Sequence, residues 1–196
     1  MPKARAILEA NVHRFPDGID FCYGNHEYYR DFNAITAMLE ATPVRVLRNS
    51  SFQASRGCGQ GLKGRNGRDG RSFYIAAADY SFAKGDEAFA KEREQYVRET
   101  LAKVPEDAFV VLLAHHSAFI DEGFAHHIPL TLCGHTHGAQ FAPIAPLVSA
   151  LGFKYLRGLF QKGECKGYVN RGTGHWLPFR VLCSREASVF ELRKQA

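Results

Sequence analysis

Apolar residues along the chain follow two spacings, which predict where helices and strands lie. An apolar residue every three or four positions, the helical spacing, occurs near the start of the chain and in the charged stretch 86–103. A further helix is predicted over 28–41, ending before Pro43. Short, mostly apolar runs predict strands over 19–23, 44–48, 72–78, 108–114, 128–133, 166–170, 179–183 and 188–193. The run 108–114 is almost wholly apolar, which is typical of a strand buried on both faces.

The composition is that of a globular protein with one domain spanning 1–196. Hydrophobic residues make up 45% of the chain and charged residues 23%, and 196 residues suffice for one core rather than two. No apolar run is long enough to cross a bilayer, so no membrane segment is predicted in this chain. The net charge of +5 favours small anionic partners such as phosphates, and it is too small to indicate specific nucleic-acid binding.

The segment 56–71 differs in composition from the rest of the chain. It holds six glycines, four arginines and a lysine, and it includes a G-x-G-x-x-G pattern at Gly59, Gly61 and Gly64. A dinucleotide-binding fingerprint needs a strand before it and a helix beginning within it, and neither is predicted here. A Gly/Arg-rich mobile surface loop is the main interpretation, and a basic loop that folds over an anionic substrate is the alternative.

Histidines are concentrated where predicted strands end. Six of the nine histidines lie between positions 115 and 137. The stretches "GNHE" at 24–27, "AHHS" at 114–117 and "GHTHG" at 134–138 each directly follow an apolar run. Because site residues of α/β enzymes gather where strands end at one edge of a sheet, these three stretches are expected to meet.

The residue types in these stretches suit a metal site. In extended backbone His135 and His137 would face the same way, since residues two apart share a side. Neutral imidazole binds Zn, Fe, Mn or Ni ions, and the amide oxygen of Asn25 could complete a mixed nitrogen and oxygen ligand set. An H-x-H pattern alone is as often structural, so the prediction depends on the combination of all three stretches.

These three stretches, in this order, resemble the last three signature motifs of the calcineurin-like metallophosphoesterases. "GHTHGAQFAP" at 134–143 is most similar to a bacterial branch with a GHTHGGQ-type final motif, and the tail with "YVNRGTG" and "PFR" is also similar to it. The resemblance implies an α/β (α+β) fold, a four-layer sandwich of two β-sheets flanked by helices. It also implies hydrolysis of phosphomonoesters or phosphodiesters by a metal-bound hydroxide at a dinuclear centre.

The resemblance assigns roles to particular residues. It implies that Asn25, His115 and His135 bind one divalent ion of the Mn, Fe, Zn or Mg type, and that His137 binds a second. It places His26 at the leaving-group oxygen as the catalytic residue, with Glu27 orienting His26.

Three further residues are candidates for substrate contact. His116 follows a ligand position, and the alternative is a solvated neighbour without a role. His175 lies in a glycine-rich stretch, and Arg180 is a candidate phosphate ligand. Ser117 lacks the surroundings of a nucleophilic serine, so serine hydrolase chemistry is not predicted.

Two motifs of the family, D-x-H and G-D-x-x-D, have no counterpart in this sequence. They would supply further metal ligands, including a carboxylate that bridges both ions. The chain is therefore expected to be an N-terminally incomplete copy that lacks the first strands, holds one ion instead of two, and has impaired activity. The alternative is a non-catalytic, degenerate family member that binds one metal or a phosphate-bearing ligand.

Overall fold

The computed structural model describes residues 2–54, 73–150 and 152–193, with side chains from residue 5 onwards. The predicted Gly/Arg-rich loop over 56–71 lies outside the described residues. The helices are α1 Pro2–Asn11, α2 Asn25–Tyr29, α3 Phe32–Glu40, α4 Asp86–Leu101, α5 Phe119–Ala125 and α6 Ala145–Ala150. The strands are β1 Ile19–Cys22, β2 Val44–Leu47, β3 Ser50–Gln53, β4 Phe73–Ala78, β5 Phe109–Ala114, β6 Leu130–Cys133, β7 Gly158–Lys162 and β8 Cys165–Val169.

The described strands form two sheets. β1 and β2 pair in parallel as a two-stranded sheet, and the other strands form a six-stranded sheet in the order β3-β4-β5-β6-β8-β7. Within the larger sheet β4, β5, β6 and β8 are mutually parallel, and β3 and β7 are antiparallel edge strands. The carboxyl ends of β4, β5 and β6 therefore lie at one edge of this sheet.

The hydrophobic core lies against the larger sheet. In β5 the adjacent residues Val110, Val111 and Leu112 are all nearly inaccessible, which confirms the predicted strand buried on both faces. Helices α4 and α5 contact this sheet, and Phe119 and Ile120 of α5 are fully buried in its core cluster. A second apolar cluster joins the smaller sheet to α3.

The molecule thus has a mixed α/β architecture in which a multi-stranded sheet is flanked by helices. This is consistent with the calcineurin-like fold that the resemblance implies. Among the described residues, no helix combines the length and apolar character needed to span a bilayer.

Two parts of the predicted secondary structure are wrong. The helix predicted over 28–41 is two helices, because Asp31 adopts a non-helical conformation and its side chain caps α3 by accepting from the Ala34 N–H. The predicted strands 179–183 and 188–193 do not form, apart from one isolated bridge at Val181. Leu182 has a φ of 50°, which interrupts an extended strand.

Candidate metal centre

The three histidine-bearing stretches meet at the edge of the larger sheet where its parallel strands end. His115 directly follows β5, and His135 follows β6 after Gly134. Asn25 is the first residue of α2, which comes just after β1 of the smaller sheet. The parallel pairing of β5 with β6 brings the two histidines together, as the sequence predicts.

Two candidate ligand atoms lie close to a third, the Nε2 atom of His115. The Nε2 atom of His115 lies 3.1 Å from the Oδ1 atom of Asn25 and 3.1 Å from the Nδ1 atom of His135. Nitrogen and oxygen ligands lie about 2.0–2.2 Å from a zinc-type ion, so ligands on one ion are about 3 Å apart. The spacing of these atoms therefore fits partial coordination of one cation by two imidazoles and an amide.

The electrostatics of the centre favour uncharged imidazoles. Burial, followed by the charge of neighbouring histidines, lowers the pKa of His115 to about 3. The same two causes lower the pKa of His135 to about 4. Both rings are therefore neutral at neutral pH, and a neutral ring has a lone pair to offer a metal ion.

His26 lies close to this cluster without being one of the three converging groups. Its charge contributes to the lowered pKa of His115, His135 and His137, which places it within electrostatic reach of all three. It follows Asn25 in α2, so the short helix presents both residues together. The leaving-group role of His26 stays a prediction.

Glu27 makes a hydrogen bond at the start of the same helix. Its Oε2 atom accepts from the backbone N–H of Gly24 at 2.8 Å, which satisfies a donor at the helix N-terminus. This contact fixes the turn that presents Asn25 and His26. An action of Glu27 on the His26 ring itself stays a prediction.

Gly24 allows α2 to approach β5 closely. A Cβ atom at this position would lie 2.7 Å from the Cγ and Nδ1 atoms of His115. Any side chain here would therefore push apart the two elements that carry Asn25 and His115.

We expect Gly24→Ala to lower the free energy of unfolding by about 1–3 kcal/mol, as overpacking does, and to weaken metal binding. The measurements are chemical denaturation and Mn²⁺ titration. Gly174→Ala is the matched control, since nothing lies within 4 Å of a Cβ built there. Equal stability and equal affinity in the two variants would contradict the proposed close packing.

Asp79 ties α2 to the end of β4. Asp79 is 3% exposed, and its carboxylate accepts from the Tyr28 hydroxyl at 2.6 Å and from Arg48 Nε at 2.5 Å. Its backbone N–H donates to Asn49 Oδ1 at 2.8 Å. Because Tyr28 belongs to α2, this network holds the helix that carries Asn25 in place.

His137 is oriented by Arg180. The Nη2 atom of Arg180 lies 3.2 Å from His137 Nδ1, and an arginine can only donate, so the imidazole accepts at that nitrogen. The guanidinium also donates to several backbone carbonyls of the tail, including those of Arg171 at 2.8 Å and Gly174 at 2.6 Å. Ligation of a metal through Nδ1, or contact of Arg180 with a phosphate, would require these bonds to open, so both roles stay predictions.

The other candidates for substrate contact are His116 and His175. His116 accepts from the Ala118 N–H at 3.1 Å, and its ring contacts those of Phe89 and Phe153. His175 is exposed and lies within electrostatic reach of His137. Substrate contact by either residue stays a prediction.

The sequence interpretation missed Tyr80. Its ring centroid lies 5.7 Å from that of His135 and 6.0 Å from that of His115. The available signal was its position: Tyr80 follows β4 closely, as His115 follows β5, at the same edge of the sheet.

Within the part of the chain that the structure describes, no group of three or more His, Cys, Asp or Glu side chains is arranged to hold a metal ion. The cluster instead combines two histidines with an amide. The ligand chemistry present here fits one cation better than a preformed pair.

Comparison with known proteins gives matches to curated metallophosphoesterases. The uncharacterized metallophosphoesterase Cj0846 of Campylobacter jejuni is 30% identical over 179 residues, which cover 90% of this chain and 42% of that protein. The uncharacterized metallophosphoesterase YkuE of Bacillus subtilis is 35% identical over 100 residues, covering 48% and 34% respectively. Phosphodiesterase YaeI of Escherichia coli is 38% identical over 69 residues, covering 32% and 24%.

The chain therefore spans less than half the length of these relatives. No protein-family model matches the chain. No solved structure matches it significantly. The similarity over nine-tenths of the chain, together with the converging histidines, supports the metallophosphoesterase family for this protein.

Proposed function

We propose that this chain is a metal-dependent phosphoesterase domain that hydrolyses phosphomonoesters or phosphodiesters. The observation that carries the proposal is the short distance, 3.1 Å in each case, from His115 Nε2 to Asn25 Oδ1 and to His135 Nδ1. These three residues hold one divalent cation of the Mn, Fe, Zn or Mg type. The names of the relatives independently support a phosphoesterase.

The residues around the cation act on the leaving group or hold α2 in position. When bound, a divalent cation acts as a Lewis acid that polarises phosphoryl oxygens and acidifies water. His26, beside Asn25 in α2, donates a proton to the leaving oxygen or stabilises its charge. Asp79 and Tyr28 keep α2 in the position that this requires.

A second cation is a finer proposal. His137 is its ligand in this chain, once Arg180 releases the imidazole nitrogen that it now occupies. Two separate cations repel each other at short range, so a second ion needs additional negatively charged ligands.

A second candidate function is non-catalytic binding of one metal ion or of a phosphate-bearing ligand. The described residues favour it in one respect, since they contain no set of three or more His, Cys, Asp or Glu side chains arranged around a metal. A single weakly held cation would suit binding without turnover.

Metal content and turnover separate the two candidates. The purified chain is loaded with Mn²⁺, the bound metal is counted, and hydrolysis of bis(p-nitrophenyl) phosphate is followed with and without a chelator. We expect turnover that requires Mn²⁺ and stops when the chelator is added. Bound metal without turnover would favour the binding function. Neither metal nor turnover would contradict both the phosphoesterase and the binding of a metal ion.

A further inference from the structure

An open cleft lined by aromatic rings adjoins the histidine cluster. Its volume is about 400 Å³, and Tyr29, Tyr80, Phe82, Phe89 and Lys84 are among its lining residues. The cleft is shallow and open to solvent, so a group bound in it would keep part of its surface exposed. None of these residues belongs to the proposed set of metal ligands.

The rings form a continuous line from the metal cluster to His26. Tyr80 lies 5.7 Å from His135 between ring centroids, and Phe82 lies 4.8 Å from Tyr80. Tyr29 follows at 5.8 Å from Phe82, and it lies 6.2 Å from His26. The cleft therefore borders both the ligand atoms and the residue proposed to act on the leaving group.

The position of Tyr29 relates the cleft to one side of the reaction. Tyr29 is three residues after His26 in α2, so the two side chains lie on the same face of the helix. A substrate group that contacts Tyr29 and Phe82 would therefore be attached to the ester oxygen on which His26 is proposed to act. This is the leaving alcohol of the ester.

The lining favours a flat aromatic group in this position. Tyr29 is 66% exposed and Phe82 is 45% exposed, so apolar ring surface is left open to water beside the polar centre. The Tyr80–Phe82 and Tyr29–Phe82 pairs meet edge to face, at 64° and 62°, which leaves ring surface available to another ring. Aromatic rings gain from such stacked or edge contacts beyond the gain from burial alone.

We propose that this cleft is a subsite for the leaving group, and that the substrate is a phosphoester whose alcohol carries a planar aromatic ring. This inference rests on the proposed function, because the role of His26 decides that the leaving group of the substrate faces the cleft. Lys84 and Asp86 also line the cleft, so its wall carries one charge of each sign and the preference is expected to come from the aromatic rings.

Binding of non-hydrolysable phosphonates tests the subsite without turnover. Isothermal titration calorimetry on the Mn²⁺-loaded chain would compare phenylphosphonate with methylphosphonate and hexylphosphonate. We expect phenylphosphonate to bind roughly tenfold more tightly than methylphosphonate and more tightly than hexylphosphonate. The 5′-phosphonate of adenosine separates the two sources of a ring: tighter binding than phenylphosphonate indicates a nucleoside, and weaker binding indicates an aryl group.

Variants of the lining residues test whether the preference for phenylphosphonate arises from the cleft. Phe82→Ala should remove most of the preference for the phenyl group and leave methylphosphonate binding unchanged. Tyr29→Leu, at a more exposed position, should reduce it in the same direction. Phe15→Ala is the matched control, because Phe15 is 52% exposed and does not line the cleft.

Three results would overturn the inference: no detectable phenylphosphonate binding, equal affinity for the phenyl and alkyl compounds, or a preference that survives Phe82→Ala. Ligand preference and hydrolysis are measured separately, so the subsite and the proposed function can fail independently. Ring preference without hydrolysis of any ester would keep the subsite and remove the phosphoesterase. Hydrolysis without ring preference would keep the phosphoesterase and remove the subsite.

Discussion

Replacing His115 by alanine is expected to lower the affinity of the chain for Mn²⁺ or Zn²⁺ by more than about 100-fold. Mutation of a residue that only orients a metal ligand already lowers metal affinity or activity by about 10–100-fold. His115 is the central member of the cluster, since its Nε2 atom lies 3.1 Å from both of the other proposed ligand atoms. The affinity is measured by calorimetric titration of the metal-free chain.

His13→Ala is the control for this prediction, because His13 is an exposed histidine in a different part of the chain. Circular dichroism of each variant checks that the fold survives the removal of the buried ring. His135→Ala should reproduce the loss seen with His115→Ala, and the double variant should add little, since one ion needs both. Unchanged affinity in His115→Ala, or an equal loss in His13→Ala, would contradict the assignment.

The second large effect is expected for His26. The change His26→Gln should lower kcat by about 10²–10⁴ and leave the metal affinity unchanged. Glutamine retains hydrogen-bonding groups but cannot transfer a proton. The loss should be greater for a phenyl ester than for a p-nitrophenyl ester, because the p-nitrophenolate leaves readily without a proton.

Steady-state kinetics with the two esters, together with metal counting, provide the measurement. An equal loss of kcat for both leaving groups would assign His26 a role other than proton donation. A parallel loss of bound metal would instead make His26 part of the metal site.

Much of the fold could be predicted because burial and local spacing agree along the central strands. The run that forms β5 is apolar throughout and is buried on both faces as expected. The edge strands β3 and β7 were missed, since an edge strand needs fewer apolar residues and takes its pairing from its neighbour. The predicted strand 179–183 failed because Arg180 bonds with carbonyls of its own tail, including that of Gly174, and Leu182 turns the backbone to a positive φ.

The approach of His115 to His135 could be predicted because both follow parallel strands that pair side by side. The contact between Arg180 and His137 could not be predicted, because 43 residues separate them in sequence and only the folded tail brings them together. The same applies to Asp79, whose partner Tyr28 lies 51 residues away. Contacts of this kind depend on tertiary packing, which a local pattern does not record.

We propose that Asn25, His115 and His135 together hold one metal ion. Titration of the ¹⁵N-histidine-labelled chain with Zn²⁺, followed by NMR, tests it most directly. We expect the ring-nitrogen signals of His115 Nε2 and His135 Nδ1 to shift together and saturate at one equivalent of Zn²⁺, while those of His13 stay unchanged. Zn²⁺ binding that leaves both of these nitrogens unperturbed would contradict it.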